Sequence, residues 1–206
     1  MRHLKMLGLA MVAAAALMAF LGGGSASATV LCKTNIESGC AASGWAYSSG
    51  TEINASLEGS FIVSNTSGSV ENTCTEVSNN GSTTNAGSAT ITVIWTITSW
   101  SISNCAQTTV VTLAHTTIEL HWIPGRNARL TVRGFRFHMI LFGVKCAYGF
   151  GEGGVELGTL TGGNPATMDV NAVIPKVEGS FLCPGDLRLE SNFKITSPVP
   201  LYVSES

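Results

Sequence analysis

Beyond residue 28 no stretch of this chain carries the apolar periodicity of an amphipathic helix, which argues against helical bundles and α/β folds. Charge is also scarce. Asp, Glu, Lys and Arg make up 12% of the 206 residues and balance to −2, leaving no basic footprint for nucleic acid. No C-x-x-C pair exists, so the cysteines do not spell a zinc site. Serine is abundant, yet no G-x-S-x-G elbow or comparable serine signature occurs. Asp169 and Asp186 are the only aspartates available to orient a histidine. Glu152 and Glu156 make a poor glycosidase pair, because a Gly-rich loop holds catalytic groups loosely. No C-terminal apolar anchor or LPxTG signal is seen, so release or loose envelope association is expected.

What is present begins with a secretory signature. Arg2, His3 and Lys5 form a positive start, Met6 to Leu21 is an almost unbroken apolar run, and Ala26-Ser27-Ala28 fits a cleavage site. Residues 1–28 are therefore read as a signal peptide and residues 29–206 as a single all-β domain, with no transmembrane segment after cleavage. Leu31 occupies the place where a lipobox before Cys32 needs a small residue, which disfavours lipidation. Without Arg2 and Lys5, nine basic side chains remain against thirteen acidic ones.

All six cysteines, Cys32, Cys40, Cys74, Cys105, Cys146 and Cys183, lie beyond the signal. An even count in an exported chain reads as a disulfide framework. Fifteen connectivities are allowed; chain order suggests 32–40, 74–105 and 146–183 without proving it.

The strand pattern centres on Ala89–Trp100, ATITVIWTITSW, where Ile91, Val93, Trp95 and Ile97 alternate with threonines. β-Branched residues suit a pleated strand. Further strands are expected at 51–57, 60–64, 69–77, 108–113, 116–123, 129–142, 166–174, 177–183 and 187–196. Apolar parity reverses at Gly134, the mark of a β-bulge that turns Arg129, Arg133, Arg136 and His138 all outward. The polar stretch 78–88, SNNGSTTNAGS, reads as an exposed loop, 101–106 as a turn, and 149–163 as Gly-rich turns. Pro198 and Pro200 put the C-terminal segment on a sheet edge or outside it. The fold expected is a disulfide-stabilised β-sandwich or Greek-key-like barrel of about ten to twelve strands.

The mature start TVLCK, the C-A-Y-G around Cys146, the F-L-C-P around Cys183 and the ending S-P-V-P-L-Y-V resemble an uncharacterised family of secreted bacterial all-β proteins. The resemblance implies export and a disulfide-bonded β fold. Its motifs are structural, so it brings no catalytic residue.

Three sets of side chains stand as candidate sites. His115, Glu119 and His121 form a metal-ligand set: residues two apart on a strand share a face, and imidazole with carboxylate suits zinc or iron. Against it stands a solvated face opposite the Ile118, Leu120 and Trp122 stripe. Arg129, Arg133 and Arg136, with Arg126 nearby, form a basic cluster suited to an anionic polymer or carboxylate, or simply a solubilising surface. Threonines 90, 92, 96 and 98 make an ice- or glycan-facing array or ordinary wet β surface. The leading expectation is an exported non-enzymatic protein, secreted or envelope-associated. It needs no cofactor and acts in binding or structure, with an envelope polymer or another secreted protein as partner. The alternatives are a metal-dependent hydrolase and an oligomeric envelope pore.

Overall fold

A computed structural model describes residues 29–141 and 143–206; the expected signal peptide lies outside the described residues. The described chain contains twelve strands and no helix. In order they are β1 (Thr29–Cys32), β2 (Glu52–Asn65), β3 (Val70–Thr83), β4 (Val93–Cys105), β5 (Thr109–Ile123) and β6 (Asn127–Leu141). There follow β7 (Val144–Gly149), β8 (Val155–Thr161), β9 (Thr167–Ile174), β10 (Lys176–Glu178), β11 (Leu187–Ser197) and β12 (Tyr202–Glu205).

Eight of these strands close into a barrel in the order β2-β3-β4-β5-β6-β8-β9-β11, sealed by pairing of β11 with β2 and of β6 with β8. Every neighbouring pair is antiparallel and follows chain order, with only β7 and β10 bypassed. The topology is therefore an up-and-down meander, and neither a sandwich of ten to twelve strands nor a Greek key. Strands β7 and β10 extend the sheet outward from the far half of β6, and β1 and β12 form a separate two-stranded ribbon.

Long strands make this closure feasible, and bulges bend them. The predicted Gly134 bulge is present: Leu113 pairs with Phe135 and Thr117 with Arg133, so three residues of β5 face one of β6. Gly134 takes φ 68°, a conformation that costs a glycine little. Beyond it Phe135, Phe137 and Met139 turn inward. Gly59, with φ 84°, bends β2 within one continuous strand, joining two segments read separately in the sequence. Segments 108–113 and 116–123 likewise fuse into β5.

Four local expectations are corrected. β3 runs on through Ser78–Thr83, because Asn79, Gly81 and Thr83 occupy inward positions that apolar residues normally advertise. β4 continues to Cys105 where a turn was expected, since a bulge at Gly81 shifts its register and carries Trp100 and Ile102 to the interior. β8 lies inside the Gly-rich section. The strand expected at 177–183 shrinks to β10, because Gly179 turns the chain; β10 joins β7 and not its sequence neighbour β11, which lies between β2 and β9.

The three bridges close in chain order, 32–40, 74–105 and 146–183, and no described cysteine is free. Such bridges persist in an oxidising environment. Side chains fill the barrel: Trp95, Phe137, Phe193, Leu130, Met168 and Ile174 are all essentially buried. The apolar space left among Phe61, Trp100, Phe135, Met168 and Phe193 is a cavity of about 20 Å³. That is room for one water, far below the roughly 300 Å³ of a small-molecule pocket. Asn79 is fully buried with neither amide atom hydrogen-bonded among the described residues.

Candidate functional site

The strand pairing decides which candidate residues meet. Glu119 and His121 lie on the outward face of β5, opposite Thr131 and Arg129 of β6. Arg133 of β6 reaches Glu119 with two nitrogens, Nε to Oε1 at 2.9 Å and Nη2 to Oε2 at 3.3 Å. Its third nitrogen, Nη1, donates to the Glu152 carbonyl in the loop after β7. His121 Nε2 lies 3.5 Å from Glu119 Oε2. His115 sits in the bulge with φ 52°, exposed, and no three His, Cys, Asp or Glu side chains converge as a metal set among the described residues.

Glu119 is thus held by a guanidinium fork. The hydrogen bond from Arg133 is the chief cause that keeps its carboxyl below the ordinary value of 4.5; partial burial opposes this, and the Arg133 and His121 charges reinforce it. A carboxylate so held is a strut more than a proton donor. The same fork ties the β7–β8 loop to the barrel. Gly154 leaves space for it, since a Cβ there would lie 3.1 Å from Arg133 Cζ.

A folded-state value below the ordinary one stabilises the fold above that ordinary value, and the gain is lost as pH falls through the depressed value. Glu119→Gln is therefore expected to lower the thermal midpoint at neutral pH, with the wild-type and variant curves converging below pH 4.5. Thermal melts across this range check it; a gap that stays constant into acid would contradict the assignment.

The three arginines differ. Arg129 faces Glu156 at 4.0 Å with both side chains more than half exposed, a contact of small energetic weight. Arg133 is committed to Glu119 and the Glu152 carbonyl. Arg136 is exposed and has no carboxylate within ion-pair distance among the described residues. His138, opposite Val110, has its pKa lowered by burial first and then by Lys145 and Arg136.

A more regular polar surface lies elsewhere, on the outer face of β2, β3 and β4. Cross-strand pairing lines up Ser56, Ser78 and Ser101 in one row, and Asn54, Asn80 and Ser99 in the next. Glu52, Ser82 and Thr96 make a third row. Glu76 and Ser103 extend the array at its far end, Ser103 Oγ donating to Glu76 Oε2 at 2.7 Å. Rows two residues apart are spaced about 6.5–7 Å, and strands about 4.7–4.9 Å.

Two grooves run over this lattice. One, about 300 Å³, is lined by Ser56, Glu76, Ser78, Ser101 and Ser103, with Thr75, Leu57 and Val77 also at its wall. The other, about 400 Å³, lies over Glu52, Asn54, Asn80, Ser82 and Thr98. No Lys or Arg occurs on these three strands; Lys194 of β11, opposite Ser56, borders them. Of the threonines singled out in the sequence, Thr96 and Thr98 join this surface, while Thr90 and Thr92 precede β4. The rest of the array was hidden because Ser78, Asn80 and Ser82 fall in a stretch whose composition reads as loop, and Ser101 and Ser103 in one that reads as a turn.

Comparison with protein-family models, curated proteins and solved structures gave no match for this chain.

Proposed function

We propose that the protein is an exported, rigid β-barrel that binds a neutral polyhydroxylated envelope polymer along the outer face of β2–β4. The observation that carries this reading is the set of aligned hydroxyl, amide and carboxylate rows without a cation. Such donors and acceptors match a chain of hydroxyl groups, and the absence of Lys and Arg gives an anionic polymer nothing to pair with. The filled interior and wet outer rows favour this over a pore, which needs an open lumen and an apolar outer band. The positive start, apolar run and A-x-A site support export, and the three bridges suit the compartment reached.

Co-sedimentation of the oxidised protein with cellulose and chitin, and with anionic peptidoglycan sacculi as the contrast, tests the proposal. Binding of at least one of the two neutral polymers is expected, together with a loss of roughly tenfold or more in Ser78→Lys, which sets a long charged chain across the serine row. Failure to bind either neutral polymer, binding to the sacculi alone, or binding indifferent to Ser78→Lys would overturn it.

A further inference from the structure

The end of the sheet extension carries an apolar knob, and one residue of the same edge also walls a hollow. β10 is the last strand of the sheet; among the described residues it pairs with β7 alone, its register shifting at Val177 between Lys176 and Glu178, and all three of its residues are exposed. Just after it Phe181 is 93% exposed, with Val177 and Leu182 each about half exposed. A phenylalanine so placed gains nothing from its own fold.

This knob is braced. The Cys146–Cys183 bridge pins its far end to β7, and Tyr148 Oη donates to the Pro184 carbonyl at 3.1 Å. Cys183 N donates to the Ser180 carbonyl at 3.1 Å, and Lys176 Nζ to the Cys183 carbonyl at 3.4 Å. At Gly179, with φ 136°, a Cβ would lie 2.5 Å from Cys183 Sγ.

Val177 also walls a hollow of about 290 Å³, formed with Phe135, Phe150, Arg136 and Glu152 over Gly134, Gly149 and Gly151. A Cβ on Gly149 would lie 2.5 Å from the Phe135 carbonyl oxygen, so glycine shapes the floor. Val177 belongs both to the exposed edge and to the wall of the hollow.

We infer that this edge is the contact surface for a second copy of the same chain, β10 lying antiparallel to its mate about a two-fold axis through Val177. The charges choose this arrangement. Antiparallel pairing centred on Val177 sets Lys176 against the partner's Glu178, and Glu178 against the partner's Lys176. In-register parallel pairing would oppose like charges. A knob and a hollow on one edge are what an isologous contact uses, each copy giving Phe181 and receiving the partner's Phe181. Asp186, whose carboxylate accepts the Lys176 N–H at 3.2 Å, guards the edge in the single copy and releases that bond on pairing. Three apolar side chains and one hollow form a contact smaller than the roughly 1,200–2,000 Å² of stable complexes, so the dimer is reversible and dilutes apart.

Sedimentation velocity of the oxidised protein over a concentration series tests the inference. A monomer–dimer equilibrium is expected, weakened roughly tenfold or more by Phe181→Ser, a change at a site too exposed to disturb folding. Glu178→Lys, which sets like charges across the pair, is expected to abolish association. A protein monomeric at every concentration would overturn the inference, as would a dimer indifferent to Phe181→Ser. So would a monomer that sediments through Phe181 with phosphatidylglycerol–phosphatidylethanolamine vesicles, which would make the knob a lipid contact.

Discussion

Trp95→Ala is expected to lower stability by about 3–5 kcal/mol, the range for truncating a large buried aromatic side chain. Trp95 is 2% exposed and sits on β4 between Thr83 of β3 and Ile118 of β5. The neighbouring strand makes room for its ring. A Cβ on Gly81 would lie 2.6 Å from Trp95 Nε1 and 2.1 Å from the Thr96 carbonyl oxygen. The indole therefore covers a glycine at a bulge, and its removal opens a void that two hydrogen-bonded strands are poorly placed to collapse into. Urea titration checks this: the midpoint should fall with the slope unchanged. A loss below about 1 kcal/mol would mean that the barrel repacks around the gap.

Replacing Cys74 and Cys105 together by alanine is expected to cost about 3–4 kcal/mol, from the chain-entropy cost of releasing a loop of this size. The two residues are 31 apart and directly opposed on β3 and β4. The turn beyond them is secured independently. Asn72, 1% exposed, accepts from Gln107 N at 2.8 Å and donates to Thr109 Oγ1 at 2.6 Å. The native turn should accordingly persist without the bridge, with the effect falling on the unfolded chain. Near-ultraviolet circular dichroism is expected to stay native-like while the denaturation midpoint drops. A disordered native spectrum would show instead that the bridge holds the folded turn itself.

These two sites also show what the sequence discloses. Trp95 lies in a stretch of strict alternation, so its inward direction follows from period two alone. The same reasoning locates β9, where Met168, Val170, Ala172 and Ile174 face in, and finds the bulge at Gly134 from a change of parity. It fails on β3, whose inward slots hold Asn79, Gly81 and Thr83. There the burial of a polar or absent side chain follows from neighbours that only the closed barrel supplies. It fails again for β10, a three-residue strand whose partner β7 lies across a Gly-rich stretch.

The candidate sites divide in the same way. Spacing places Glu119 and His121 on one face, but the engagement of Glu119 by Arg133 depends on the β5–β6 register, which the bulge sets. The serine and asparagine rows on β2–β4 depend on three strands falling into step, and no single strand contains that information. Phe181 falls in 177–183, a segment that reads as strand; its exposure follows from the turn that the chain makes there instead.

The seam that completes the cylinder joins distant parts of the polypeptide: Thr196 Oγ1 donates to the Asn54 carbonyl across 142 positions. A chain delivered amino end first can form the β2-to-β6 hairpins one after another, yet β2 waits with one flank bare until β11 arrives. Assembly of such non-local order is slow, and a bare flank invites pairing with strangers. The export proposed above would postpone closure to the far side of a membrane and spare this architecture that exposure in a crowded cytosol.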